Sequence, residues 1–298
     1  MTMKIRAMYF SGTGTTAKIT TRIAYEMWSE MKSAAGDDAE GISFEKEADI
    51  NFSPKMAREK EYVFDENDIV VFGVPVIAGR VPNVLLKFLD TLKGGGAMAI
   101  PVVLYGNRNF DDALIELRNI LEDKGFYMVA AAAFIGEHSF SKTLAAARPD
   151  TDDMKIACAF AKDVADKILW IIRDSEENGV EPYSTLEAMG PVEVEGCDPI
   201  RPYYQPRDRH GEHINILKVK PKLHEDKCIK CGLCAAVYPM GSISKDNPGI
   251  VEGICIKCCG CIKKCPKEAL YYDDPGYIYH KEELEAMYMD RKDPALFI

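Results

Sequence analysis

The chain has 298 residues, 47% hydrophobic and 28% charged, with a formal net charge of −10 at pH 7. That length accommodates one large domain and one small one, and the composition is that of an ordinary globular protein. The acidic balance argues against nucleic acid or an anionic membrane as partner, because both need basic surface. Residues 1–10 lack the basic and apolar regions of a secretory signal, and the longest apolar run, residues 126–135, is too short to cross a bilayer. A cytoplasmic location is therefore expected. Ten cysteines in such a compartment do not suggest disulfides, and eight of them crowd between Cys228 and Cys265, which points to metal.

Taken in chain order, apolar runs alternate with helical patterns over residues 1–175, as a parallel α/β sheet requires. Strands are predicted at residues 5–10, 42–48, 69–74, 100–105 and 127–135, and their near-continuous apolar character fits burial on both faces. Ile19, Ile23, Met27 and Met31 recur every four residues, and Val84, Leu85, Phe88, Leu89 and Leu92 keep helical spacing. A further helix is predicted over 111–124, started by Asp111 or Asp112 and ended by Gly125, and a last one over 151–174. Trp28 and Trp170 fall on helices and are assigned to the core.

The first strand runs into Ser11-Gly12-Thr13-Gly14-Thr15-Thr16 and then a helix. A phosphate monoester placed there would meet backbone N–H groups, the positive end of the helix and several hydroxyls. The loop lacks the Gly-Lys-Ser/Thr of a nucleotide hydrolase and the third glycine of a dinucleotide fingerprint. Two more glycine-containing loops follow strands: Pro75-Val76-Ile77-Ala78-Gly79-Arg80 and Tyr105-Gly106-Asn107-Arg108, closing with Phe110. Both lie where ligands of open α/β sheets bind.

Ser11, Thr13, Gly14 and Thr16 resemble the phosphate loop of flavodoxins, at the same place after strand 1. The resemblance implies a doubly wound, parallel five-stranded sheet of order 2-1-3-4-5, with FMN held by this loop and by the two loops above. Neither ring loop contains the tryptophan of short-chain flavodoxins, so Phe110 and Tyr105 are the candidates to cover the ring. Arg80 or Arg108 could approach the flavin and favour its reduced anion, or both could instead bind surface carboxylates. His138, after the fifth strand, is either at the flavin edge or merely solvated.

From residue 176 to 222 the periodicity dissolves and prolines recur, as in a domain linker. A turn is expected around Arg209-His210-Gly211-Glu212, and an edge strand over 214–219. Cys197 reads as a spare thiol, and Cys158 as a small buried hydrophobe.

Residues 223–298 carry the decisive signal. Cys228, Cys231 and Cys234 precede Tyr238-Pro239, and Cys255, Cys258 and Cys261 precede Cys265-Pro266. Thiols at i, i+3 and i+6 can wrap one iron–sulfur cubane, while a fourth just before proline reaches the other cluster. Structural zinc is the rival, but it uses isolated C-x2-C pairs and has no need of the third cysteine.

The segment resembles the bacterial-type two-cluster ferredoxin, a small α+β domain. Carried across by position, that resemblance gives one [4Fe-4S] cluster to Cys228, Cys231, Cys234 and Cys265. The second takes Cys255, Cys258 and Cys261, but its fourth position is Tyr238. The alternatives are a [4Fe-4S] cluster with an atypical fourth ligand (Tyr238, solvent, a substrate, or a spare thiol, Cys259 ahead of Cys197) and a [3Fe-4S] cluster. A helix is expected over 281–288. Across its length the chain resembles the flavodoxin–ferredoxin fusion proteins of anaerobes. That implies electron transfer between clusters and FMN, to or from a redox partner protein, with a reductase of a small substrate as the alternative.

Overall fold

The computed structural model describes residues 1–36 and 42–298. The N-terminal part is a twisted sheet with helices on both faces. Its strands and helices are β1 (Thr2–Tyr9), α1 (Thr15–Ala35), β2 (Ser43–Lys46), β3 (Ile50–Asn51), β4 (Asp68–Pro75), α2 (Asn83–Leu89), β5 (Met98–Tyr105), α3 (Ala113–Asp123), β6 (Tyr127–Met128), β7 (Ala131–Ile135) and α4 (Thr151–Asn178). The strand order is β10-β7-β5-β4-β1-β2, with β3 beside β1 and β6 beside β5. Every pairing is parallel except that of β10 (Ala295–Phe297), which runs antiparallel to β7. Leaving out β10, the order is the one expected of the five predicted strands.

Burial on both faces follows from the pleat, which sends successive side chains to opposite sides. Ile69 and Val71 of β4 join α1 and α4 in one core, whereas Val70, Phe72 and Val74 join α2 and α3 in the other. This is why the strands read as unbroken apolar runs. The run 127–135 is divided: Val129 and Ala130 separate β6 from β7, and no glycine or proline marks the break. Trp28 packs partly against the first core and donates from Nε1 to the Phe44 carbonyl at 3.2 Å. Trp170 is 50% exposed, so its assignment to the core is corrected: it falls on the outward face of the long helix α4.

The start of α3 shows a competition for one carboxylate. Asp112 stands at the N-cap but makes no capping bond. Its oxygens instead accept from the Arg201 guanidinium at 2.5 and 2.9 Å, and from the backbone N–H groups of Cys197 and Arg201. These bonds, the Arg201 side chain foremost, lower the Asp112 pKa to about 2. A depressed carboxylate contributes stability that is present above its unfolded value and lost as pH falls through the folded one. Acid should therefore loosen this junction between about pH 4 and 2. In urea unfolding at stepped pH, Asp112→Asn is expected to flatten that part of the pH dependence.

Residues 176–222 are not a plain linker. Helix α5 (Pro182–Met189) opens them, with proline at its first turn, where a missing N–H is harmless. The expected turn forms, with Arg207 bridged to His213. No strand forms over 214–219, which is corrected to irregular chain and a turn at Leu217-Lys218. Its alternating apolar residues reflect packing on the neighbouring unit rather than a ladder.

The cysteine-rich part has little regular structure: β8 (Lys222–Leu223) and β9 (Leu270–Tyr271) form an antiparallel pair, with α6 (Leu233–Val237) and α7 (Gly260–Lys263) between them. Helix α8 (Pro275–Met287) follows, capped by Asp274. It begins six residues before the expected position 281, because Asp274-Pro275 is itself a start signal. The chain then returns to the large sheet as β10, so its last residues belong to that sheet and not to the cysteine-rich unit alone. Among the described residues no helix is long and apolar enough to cross a membrane.

Candidate functional site

The loops after β1, β4, β5 and β7 converge on one cleft at the carboxyl edge of the sheet, enclosing about 960 Å³ including its open mouth. Gly12, Thr13, Thr15, Thr16, Pro75, Val76, Ile77, Ala78, Tyr105, Gly106 and Arg108 line it, so most of the sequence-derived residues share one site. Gly14 is left-handed at the N-cap of α1, and its N–H is held by Ser11 Oγ at 3.1 Å. The first-turn N–H groups of a helix have no partner inside it, which leaves the Thr15 end of α1 as a donor surface. Beside it a second cleft holds Thr13, Gly14, Thr15 and the side chains of Lys18, Lys263 and Lys264.

Four expected residues face elsewhere. Arg80 forks onto Glu116 at 2.5 and 2.7 Å and also donates to the Arg201 carbonyl, so its place at a ligand is corrected to a structural ion pair. Asn107 is buried away from the cleft and donates to the carbonyls of Tyr288 and Asp290 at 2.5 and 2.8 Å. Phe110 is buried against Tyr105 and does not line the cleft, so it covers nothing there. Gly79 serves the turn between Ile77 and Arg80, where a Cβ would strike Asp111. Arg108 does line the cleft, ion-paired to Asp111 and lying 4.4 Å from the Tyr204 ring centre.

The other walls come from residues that the sequence did not mark. Tyr204 arrives from the 176–222 stretch and is fixed by its N–H to the Ala78 carbonyl at 2.8 Å. His280 and Leu284 come from α8, and Phe140 from the loop after β7. His138 presses so closely on the second ring loop that a Cβ at Gly106 would lie 2.3 Å from its ring, so only glycine fits at 106. Its Nδ1 accepts the Phe140 N–H at 3.2 Å. Burial, with Lys263, His280 and Arg108 nearby, lowers the His138 pKa to about 3, and burial and Arg108 lower that of His280 to about 4. His138 is therefore a neutral cleft residue and not a solvated one. Sequence periodicity carries no signal for such contacts, because they join different loops and elements of the fold.

The cysteine-rich unit is built into the same site. Ile256, Lys257 and Cys258 line the cleft, and Cys258 packs on the glycine loop: a Cβ at Gly12 would lie 2.7 Å from Cys258 Cβ and 3.0 Å from its Sγ. The contact is clamped from both sides. Arg58 donates to the Pro239 carbonyl at 2.6 Å and to the Phe52 and Ser53 carbonyls. Lys263 pairs with Glu137 and donates to the His138 and Ser141 carbonyls at 2.7 and 2.9 Å.

Cys228, Cys231, Cys234 and Cys265 line one small, almost wholly apolar cavity, walled by Leu223, Pro248 and Leu270. Cys255 and Cys261 gather with Tyr238 in an adjoining apolar cluster that shares Cys234, Leu223 and Leu270 with this cavity. The Tyr238 hydroxyl donates to the Ile254 carbonyl at 3.2 Å, and burial, with Cys255 beside it, raises its pKa, which keeps the phenol protonated. Tyr272 Oη lies 3.3 Å from Cys255 Sγ. The buried Cys259 thiol donates to the Lys257 carbonyl at 3.4 Å and lies 3.6 Å from Tyr277 Oη. Among the described residues, no three or more His, Cys, Asp or Glu side chains form a group that could hold a single metal ion. Cys158 is partly exposed and accepts from Arg22 Nε at 3.1 Å, which corrects its reading as a buried hydrophobe, and Cys197 is exposed as expected.

No protein-family model matches the chain, and no curated protein matches it. Among solved structures it is similar to a flavodoxin from the domain Archaea, at 16% identity and a TM-score of 0.38 over 55% of this chain and 98% of that one. It is also similar to apo NADH:FMN oxidoreductase EmoB, at 19% identity and a TM-score of 0.34 over 54% and 88% of the two chains. A third similarity is to rubredoxin oxygen:oxidoreductase from the anaerobe Desulfovibrio gigas, at 15% identity and a TM-score of 0.34 over 54% and 35%. The flavodoxins and flavoproteins among the similar structures thus match about 55% of this chain, in a mixed α/β unit with a mostly parallel sheet.

Proposed function

We propose that this protein transfers electrons between iron–sulfur clusters bound by its cysteine-rich unit and an FMN bound in the cleft. The observation that carries the reading is the contact of Cys258 with Gly12, which puts a cluster-type cysteine against the glycine loop of the flavin-type site. For FMN, the fit rests on Thr13, Thr15 and Thr16 at the helix N-terminus, for the phosphate, and on the backbone of residues 75–78 and 105–108 for the ring. For the clusters, it rests on the four thiols around one apolar cavity and on the three further thiols beside Tyr238.

When bound, flavin exchanges one or two electrons and the clusters exchange one at a time, so together they convert between the two kinds of chemistry. The residues of the chain do the rest. Gly12 permits the close approach, while Arg58 and Lys263 hold the two units in register. Tyr204, His280 and Leu284 roof the cleft, which favours electron exchange through the cysteine-rich unit over direct docking of a partner protein on the ring. Exchange with an external redox partner protein is accordingly assigned to the first cluster, where Cys231 is exposed.

The roof supports a second reading, reduction of a small substrate that enters the cleft. Anaerobic counting of FMN, iron and acid-labile sulfide, combined with EPR, tests the main reading. About one FMN and seven or eight irons per chain are expected, seven indicating the three-iron form of the second cluster. A colourless protein with bound zinc would refute it.

A further inference from the structure

Two histidines and an arginine stand in one wall of the cleft: Arg108 from the loop after β5, His138 from the loop after β7 and His280 from α8. Aromatic contacts join them. Phe140 lies 5.2 Å from His138 and 6.2 Å from His280, and Tyr204 lies 6.1 Å from His280 while receiving Arg108 on its face.

His280 is only 7% exposed, yet none of the side-chain hydrogen bonds within the described residues involves its ring. Its ring nitrogens also fall outside the fully enclosed, unsatisfied atoms, so the polar edge reaches the cleft space. His138 is satisfied at Nδ1 alone. An imidazole edge that opens on the cleft is a hydrogen-bonding group within reach of a ligand there.

The carboxylates around this wall are paired. Asp111 is engaged by Arg108 and Glu137 by Lys263. Lys257 also faces the cleft, with its ammonium on the Leu217 and Cys255 carbonyls. On α8, Glu283 pairs with Arg209, and Glu285 accepts from Ser141 and pairs with Lys281. In a chain of net charge −10, a buried wall with cationic and neutral donors and no unpaired carboxylate is set for an anion. One guanidinium already shared with Asp111 and two neutral imidazoles balance a single negative charge better than two. Phe140, Ile216, Ile256 and Leu284 give the cleft an apolar part beside this polar wall.

We propose that Arg108, His138 and His280 form a binding site for a small apolar monocarboxylate, with its carboxylate on this wall and its hydrocarbon part under the roof. The proposal names the substrate class for the cleft of the second reading, and it rests on the flavin reading only for its optical signal. An anion beside neutral imidazoles raises their proton affinity, so binding takes up a proton and tightens as pH falls.

The test uses the full-length protein as isolated, with benzoate as the probe and benzyl alcohol as its uncharged counterpart, followed by flavin absorbance and by calorimetry. Benzoate should give a saturable change at about pH 7 that benzyl alcohol does not. His280→Asn should weaken benzoate at least about tenfold, and His138→Asn should weaken it as well. Equal binding of the two probes, no saturable change, or unaltered affinity in both variants would overturn the proposal. Protein isolated without FMN would refute the flavin reading, while calorimetry would still decide on the carboxylate site.

Discussion

Arg148→Ala is expected to lower the unfolding free energy by about 3–5 kcal/mol, the loss that follows when one partner of a buried ion pair is removed. The Arg148 side chain is 4% exposed and that of Asp153 is fully enclosed. The guanidinium forks onto the carboxylate, with Nε 2.8 Å from Oδ2, and its remaining nitrogen donates to the Lys292 carbonyl at 2.7 Å. Truncation strands a buried Asp153, whose remaining contacts are the Asp150 N–H at 2.9 Å and Arg291 at 3.7 Å. The double variant Arg148→Met/Asp153→Leu should recover most of the loss, because apolar side chains of similar volume do not need the missing partner. Urea denaturation followed by circular dichroism measures both. A single variant within about 1 kcal/mol of the parent would mean that the site collapses or admits water.

Cys258→Ala should reduce iron from seven or eight to about four per chain while leaving FMN near one equivalent, because the flavin loops stand on the large sheet. Cys228→Ala should remove the other cubane and leave the second. Cys259→Ala gives the discriminating result. Its thiol is engaged with the Lys257 carbonyl and lies near Tyr277, so the iron count should not change. Iron loss in Cys259→Ala equal to that in Cys258→Ala would instead make Cys259 a ligand and displace Tyr238 from consideration.

Local order in the chain was legible because it is written in local spacing. Residues 69–74 and 100–105 are unbroken apolar runs because helices cover both faces of β4 and β5, and Ile19 to Met31 repeat at four because one face of α1 meets the core. The glycine–threonine loop was legible because a strand must end and a helix begin there. The cysteine spacing stands out in the sequence, and its reading as a ligand pattern belongs to the proposed function. What escaped was assembled from distant segments. Tyr204 reaches the cleft through one backbone bond to Ala78, and His280 through the docking of α8. Arg80 and Arg108 look alike in sequence, and only Glu116 on the next helix decides that the first turns away. Trp170 shows the reverse failure: a large aromatic on an amphipathic helix invites assignment to the core, but it falls on the outer face.

The cysteine-rich unit is anchored at both ends. Before it, Tyr204 is bonded to Ala78; after it, Asn107 holds the carbonyls of Tyr288 and Asp290, and β10 is laced to β7. A domain hung on a single flexible tether would have to diffuse and collide before each electron hop, and solvent viscosity would then govern its turnover. A segment pinned fore and aft has no such search to make, so under the proposed function the spacing between redox centres would be set by the fold rather than by chance encounter.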